Sequence, residues 1–191
     1  MRKYISVSFI LNLLILCCMV YLVFGCASIW KKGFDSIFPP EIQDKKRIDT
    51  SKIPLTSALV LGDLKAEKKV IIFADPDCPY CSNLYKVIKR IIDKRKDITF
   101  YIKMYPLKSH KDAYWKSKSI VCNNSLQMLQ DCFDKKEIAK TDCKTDEVDN
   151  TLKLAKSLGI TGTPAIILPD GRLRLGTMPE TELTKLIDGK I

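Results

Sequence analysis

The sequence predicts an α/β domain in which a βαβ half and a ββα half are separated by a run of helices. Two observations carry this reading. The apolar run Val70-Ile71-Ile72-Phe73-Ala74 leads into Cys78-Pro79-Tyr80-Cys81 and then into the helix-like segment Ser82 to Arg95. Far along the chain, Gly162-Thr163-Pro164 precedes a second apolar run, Ala165-Ile166-Ile167-Leu168. A CxxC pair at a strand-to-helix junction sets its first sulfur over the helix N-terminus. The unpaired N–H groups and the dipole there stabilise a thiolate, the reactive form of cysteine.

The elements follow in order. Residues 58–61 form a short apolar element that packs on the domain, and 69–74 form a strand. A helix over 79–95 opens on Pro79, whose missing N–H costs nothing at an early helical position. Ile98, Phe100, Ile102 and Met104 alternate with Thr99, Tyr101 and Lys103, the period of a strand with unequal faces. Three helix-like pieces come next, Lys111 to Cys122, Ser125 to Phe133, and Asp146 to Leu158 with a stop at Gly159. Residues 165–168 and 172–175 flank Asp170-Gly171, a hairpin signal, and a helix from Thr181 to Ile187 closes the domain. This order is a thioredoxin core carrying a helical insertion.

The first quarter of the 191 residues differs from the rest. Arg2 and Lys3 precede an uncharged stretch from Tyr4 to Phe24. A secretory apolar region runs ~7–15 residues and a spanning helix ~20, and the stretch is long enough for either. A buried helix of the fold is disfavoured because no polar face recurs at helical spacing. Val23-Phe24-Gly25-Cys26 is similar to the lipobox of bacterial lipoproteins, which makes Cys26 a lipidation candidate, although Phe24 departs from the small residue usual there. Residues 1–25 are therefore expected to be a signal peptide or an N-terminal membrane anchor, 26–52 a tether, and 53–191 the folded domain. Each route places the domain outside the cytoplasm.

The formal net charge is +10, with lysines interspersed among Asp and Glu as in Asp134-Lys135-Lys136-Glu137. No aromatic-interleaved basic stripe appears, so a solvated surface is expected rather than a nucleic-acid site. Of eight cysteines, Cys78, Cys81, Cys122, Cys132 and Cys143 fall in the globular part, an odd number that leaves one thiol unpaired.

Phe73-Ala74-Asp75-Pro76-Asp77-Cys78-Pro79-Tyr80-Cys81, Gly162-Thr163-Pro164-Ala165 and Leu168-Pro169-Asp170-Gly171 together resemble the catalytic domain of bacterial periplasmic disulfide isomerases of the DsbC/DsbG type. The resemblance covers roughly residues 54 to 188. It implies thiol–disulfide exchange with secreted, cysteine-containing proteins and a DsbD-like membrane electron donor. It also implies a structural disulfide between Cys122 and Cys143, while the residues alone leave Cys122–Cys132 and Cys132–Cys143 open. The family's separate dimerisation domain has no counterpart in the roughly forty residues after Cys26, so a monomer is expected.

Cys78 is the expected nucleophile, exposed at the helix start, with Cys81 resolving the mixed disulfide. No dissociable cofactor is required beyond the redox-active Cys78–Cys81 disulfide. Thr163 and Pro164 are expected to present substrate, because an X–Pro bond adopts cis at modest cost and the Thr163 backbone can then pair with an extended client strand. Pro79 and Tyr80 tune the pair and border the substrate. Asp75 and Asp77 are expected to cap the turn and the following helix, and His110 to be a surface residue. Alternatives within the class are a DsbA-like oxidant or a cytochrome-maturation reductase. A different class is a lipoprotein binding a soft metal through Cys78 and Cys81, though two thiolates need further ligands.

Overall fold

The structure, a computed structural model, describes residues 47–191. The expectations for the leader, for Cys26 and for most of the tether lie outside the described residues. Among the described residues no helix is long and apolar enough to cross a membrane.

Five strands form one sheet in the order β1-β3-β2-β4-β5: β1 Leu59–Gly62, β2 Lys68–Ala74, β3 Ile98–Met104, β4 Ala165–Ile167 and β5 Leu173–Leu175. Only the central pair, β2 and β3, runs parallel. The helix joining them, α1 (Pro79–Lys94), is the crossover a parallel pair requires. Helices α2 (Ala113–Asn123), α3 (Leu126–Phe133) and α4 (Glu147–Leu158) make the insertion between β3 and β4, and α5 (Glu180–Ile187) closes the chain.

The run Val70 to Ala74 is continuous in apolar character because both faces of β2 are covered. Val70, Ile72 and Ala74 pack on one side with Leu84, Ile88 and Ile91 of α1 and Leu183, Leu186 and Ile187 of α5. Ile71 and Phe73 pack on the other with Ala155 of α4. The buried α1 side chains recur at helical spacing. Each contributes about 1.5–3 kcal/mol of apolar burial, which seats the helix, and with it the CxxC turn, on the sheet.

Two expectations need correction. Residues 47–52, assigned by composition to the tether, are part of the folded domain. Ile48 is buried in the second core, its N–H donates to Gly171 O at 2.8 Å, and Arg47 bridges to Arg172. Gly171 has φ +84°, and a Cβ there would come within 2.3 Å of Ile48 O, so only glycine admits this close approach. The second correction concerns β3, whose two faces are both buried. Lys103, on the face read as polar, donates through Nζ to Pro54 O and Thr56 O, each at 3.0 Å. The segment before β1 thus satisfies a lysine whose pKa is lowered by burial.

The structure pairs Cys122, near the end of α2, with Cys143 in the irregular segment before α4. Cys132 is the odd thiol. It is 2% exposed, and burial raises its pKa to about 11, which makes it a packing residue rather than a reactive one. The 21-residue separation of the bridged cysteines predicts a loss of about 3 kcal/mol in the Cys122→Ser/Cys143→Ser double variant, read from urea unfolding midpoints.

Candidate active site

The site lies where β2 ends and α1 begins. Cys78 is the N-cap of α1, in extended backbone conformation, and makes no side-chain capping bond, so its sulfur is free for other partners. The Cys81 thiol donates to it, and this is the largest cause that lowers the Cys78 pKa to about 5. The Thr163 side chain and the main-chain N–H groups of Cys81 and Tyr80 add to the lowering, against the opposing cost of burial. The Thr163 hydroxyl is buried and otherwise without a partner. It is close enough to both cysteine sulfurs to favour their charged forms. At neutral pH Cys78 is a thiolate.

Cys81 is the opposite case. It is 2% exposed, and burial drives its pKa far above the ordinary thiol range, with the neighbouring Cys78 charge adding to the effect. Its sulfur accepts a weak bond from Asp75 N–H at 3.4 Å. One sulfur is an anion and its neighbour, three residues on, holds its proton. That division of labour suits attack by one and later resolution by the other.

The Thr163–Pro164 bond is cis, and Thr163 O lies 3.5 Å from Cys78 Sγ. Pro79 and Tyr80 are exposed on the rim, with Tyr80 60% accessible. Cys78 itself is only 4% exposed, contrary to the expectation that it stands open at the helix start. The Thr163–Pro164 segment lies against the sulfur, leaving a narrow approach.

Asp75 and Asp77 do not cap α1. Asp75 is fully buried, and its carboxylate accepts from Asp77 N–H at 2.7 Å and Leu107 N–H at 2.6 Å, with His110 Nδ1 2.9 Å away. It caps the turn only, and it fastens that turn to the loop after β3. Asp77 pairs with Lys116 of α2 at 2.6 Å. His110 is thus a partner of the active-site turn rather than a plain surface residue. The one signal for it in the sequence is an aspartate at the end of an apolar strand, which needs buried donors from elsewhere. Nothing in the sequence marks Lys116. Among the described residues, no three His, Cys, Asp or Glu side chains are placed to hold a metal together.

A model of the thioredoxin-like domain matches residues 55–190. The chain belongs to the thioredoxin-like domain family. This thioredoxin-like domain is similar to proteins named as DsbC thiol:disulfide interchange proteins. The probable one from Bordetella pertussis is 30% identical over 147 residues, covering 75% of this chain and 50% of the relative. That of Escherichia coli K12 is 28% identical over 154 residues, covering 73% and 64%. The chain spans about half to two thirds of the length of these relatives. A solved disulfide interchange protein from Neisseria gonorrhoeae superposes with a TM-score of 0.60 at 27% identity, over 72% of this chain and 97% of that one.

The Thr163 hydroxyl permits a direct check on the thioredoxin-like site. Thr163→Val keeps the shape and removes the donor. A hydrogen bond to a charged group contributes about 1.5–3 kcal/mol, so the Cys78 titration midpoint should rise by about one pH unit or more, measured by the pH dependence of alkylation.

Proposed function

We propose that this domain is an exported thiol:disulfide oxidoreductase acting on cysteine-containing polypeptides. The observation that carries the reading is a Cys78 thiolate, with its pKa lowered to about 5, set between a protonated Cys81 and the cis Thr163–Pro164 segment. The Cys78 thiolate attacks one sulfur of a client disulfide. The Cys78–client bond forms, the client S–S bond breaks, and the second client sulfur leaves as a thiolate. Bonding also removes the Cys78 charge, one of the causes that keep Cys81 protonated. Cys81 then passes its proton to the departed client thiolate and attacks the Cys78 sulfur. The first client sulfur is released as a thiolate. Two electrons have moved to the client, and Cys78–Cys81 is now a disulfide. If a client thiol displaces the enzyme before Cys81 acts, the client is isomerised with no net redox change.

Thr163, with its carbonyl beside the reactive sulfur, supports pairing with an extended client strand. Tyr80, exposed beside Cys78, offers an aromatic contact at the rim. The resemblance to the DsbC/DsbG type and the leader-like N-terminal sequence support a periplasmic setting, a membrane tether and a DsbD-like electron donor that regenerates the reduced form. A second reading, net oxidation of clients, is favoured by the low Cys78 pKa, because stabilising the thiolate stabilises the reduced pair and makes the disulfide more oxidising.

The test is insulin reduction together with reactivation of scrambled ribonuclease, alongside a redox titration against glutathione. Reactivation that requires Cys78 establishes isomerisation, and reduction alone makes the protein a reductase. A strongly oxidising potential without reactivation makes it an oxidant. Inactivity in every arm overturns the redox reading.

A further inference from the structure

Between the segment after β3 and the segment that leads to Thr163 the structure carries a groove of about 580 Å³ that the exchange chemistry does not use. Its floor is apolar, formed by Tyr105, Leu107, Leu152 and Ile160, and its rim carries Lys108, Lys153 and Lys156. All three lysines are exposed, and none makes an ion pair with a described residue, whereas Lys68 and Lys116 are both paired with aspartates. No carboxylate lines the groove.

Both walls are fastened to the site. One wall is the segment after β3, tied to the active-site turn by the Leu107 N–H bond to Asp75. The other runs from Gly159 to Thr161, held to the first by Tyr105 Oη donating to Ile160 O at 3.2 Å, and it continues two residues on to Thr163 beside Cys78. An extended chain advances about 3.3 Å per residue. A client strand paired with Thr163 and directed along this wall therefore enters the groove roughly two to four residues from the attacked cysteine.

We propose that the groove takes an acidic, partly apolar stretch of the client polypeptide next to the cysteine under attack, so that the domain selects clients by charge. This rests on the redox reading above and adds a substrate class to it. Three unpaired ammonium groups around an apolar floor complement side chains that are negative at the tip or apolar in the body, and they repel a basic stretch. Selection acts on the rate of attack, and salt weakens it because the rim is exposed to solvent.

The experiment uses the full reduced chain and three quenched peptides that share one disulfide. They differ in the two residues placed three and four positions from the cysteine, which are Asp-Asp, Asn-Asn or Lys-Lys. The second-order rate of attack should be about tenfold faster for the Asp peptide than for the Lys peptide at low ionic strength, with Asn between, and the ratio should approach one in ~0.5 M salt. In Lys108→Glu/Lys153→Glu/Lys156→Glu the order should invert, while the rate with hydroxyethyl disulfide, a small neutral probe, stays the same. A control that reverses the same amount of charge elsewhere, Lys65→Glu/Lys69→Glu/Lys86→Glu, should keep the Asp preference.

Equal rates for the three peptides would overturn the inference, as would a preference that survives reversal of the groove lysines or is lost equally in the control. Sedimentation with phosphatidylglycerol vesicles that depends on Lys108, Lys153 and Lys156, without peptide discrimination, would assign the patch to a membrane surface and overturn it too. Failure of wild-type Cys78 to react even with hydroxyethyl disulfide would strike down the redox reading itself, and is thereby distinguishable from failure of the groove.

Discussion

Cys78→Ser should bring insulin reduction and ribonuclease reactivation down to the uncatalysed background, a loss of roughly 10³-fold or more. The size of the effect follows from the site. A serine hydroxyl at the N-cap of α1 meets the same N–H groups and the same Thr163 hydroxyl, yet it stays protonated at neutral pH and forms no bond of the required kind with a client sulfur. Folding should be unaffected, because Cys78 makes no side-chain capping bond whose loss would weaken α1. A circular-dichroism melt of the variant beside wild type separates loss of chemistry from loss of fold. Retained activity would move the nucleophile to another cysteine, and among the described residues the two other free thiols, Cys81 and Cys132, are both buried with raised pKa values.

Cys81→Ala should have the second largest effect, and of a different kind. The variant should still attack disulfides but fail to release them, so a covalent Cys78–client adduct should accumulate toward one per molecule, visible by intact mass and removed by dithiothreitol. Two consequences of the geometry meet here. In the proposed mechanism Cys81 cleaves the adduct, and its thiol is also the largest contributor to lowering the Cys78 pKa. Loss of that donor should therefore raise the Cys78 midpoint and slow the first attack at mildly acidic pH while leaving it efficient near pH 8. Catalytic reduction of insulin should fall to a single turnover. Full turnover would mean that client thiols or added reductant release the adduct unaided.

The central strand and the CxxC helix are legible in the sequence because each depends on neighbours in the chain. A β-branched apolar run and a proline-led amphipathic segment lie side by side, and the cysteines fall at their junction. Partners brought together from a distance are not legible. Asp75 meets Leu107 and His110 only after β3 returns beside β2, and Lys116 reaches Asp77 across the insertion. Lys103 reads as the solvent face of a strand because the segment that covers it, Pro54 to Thr56, precedes β1 and shows no pattern of its own. The burial of Cys78 has the same origin. A motif at a helix start reads as open, and the segment that closes over it, Thr163–Pro164, arrives more than eighty residues later.

The most direct test of a Cys78 thiolate is the rate of its alkylation by iodoacetamide in the reduced chain as a function of pH, with the modified residue identified by mass spectrometry. Only the thiolate reacts, so the rate tracks deprotonation and increases with pH through the pKa. Modification of Cys78 should precede that of Cys81 and Cys132, half-maximal near pH 5 and level through neutrality. A rate still climbing between pH 7 and 9, or modification spread evenly over the three thiols, would contradict a Cys78 thiolate at neutral pH.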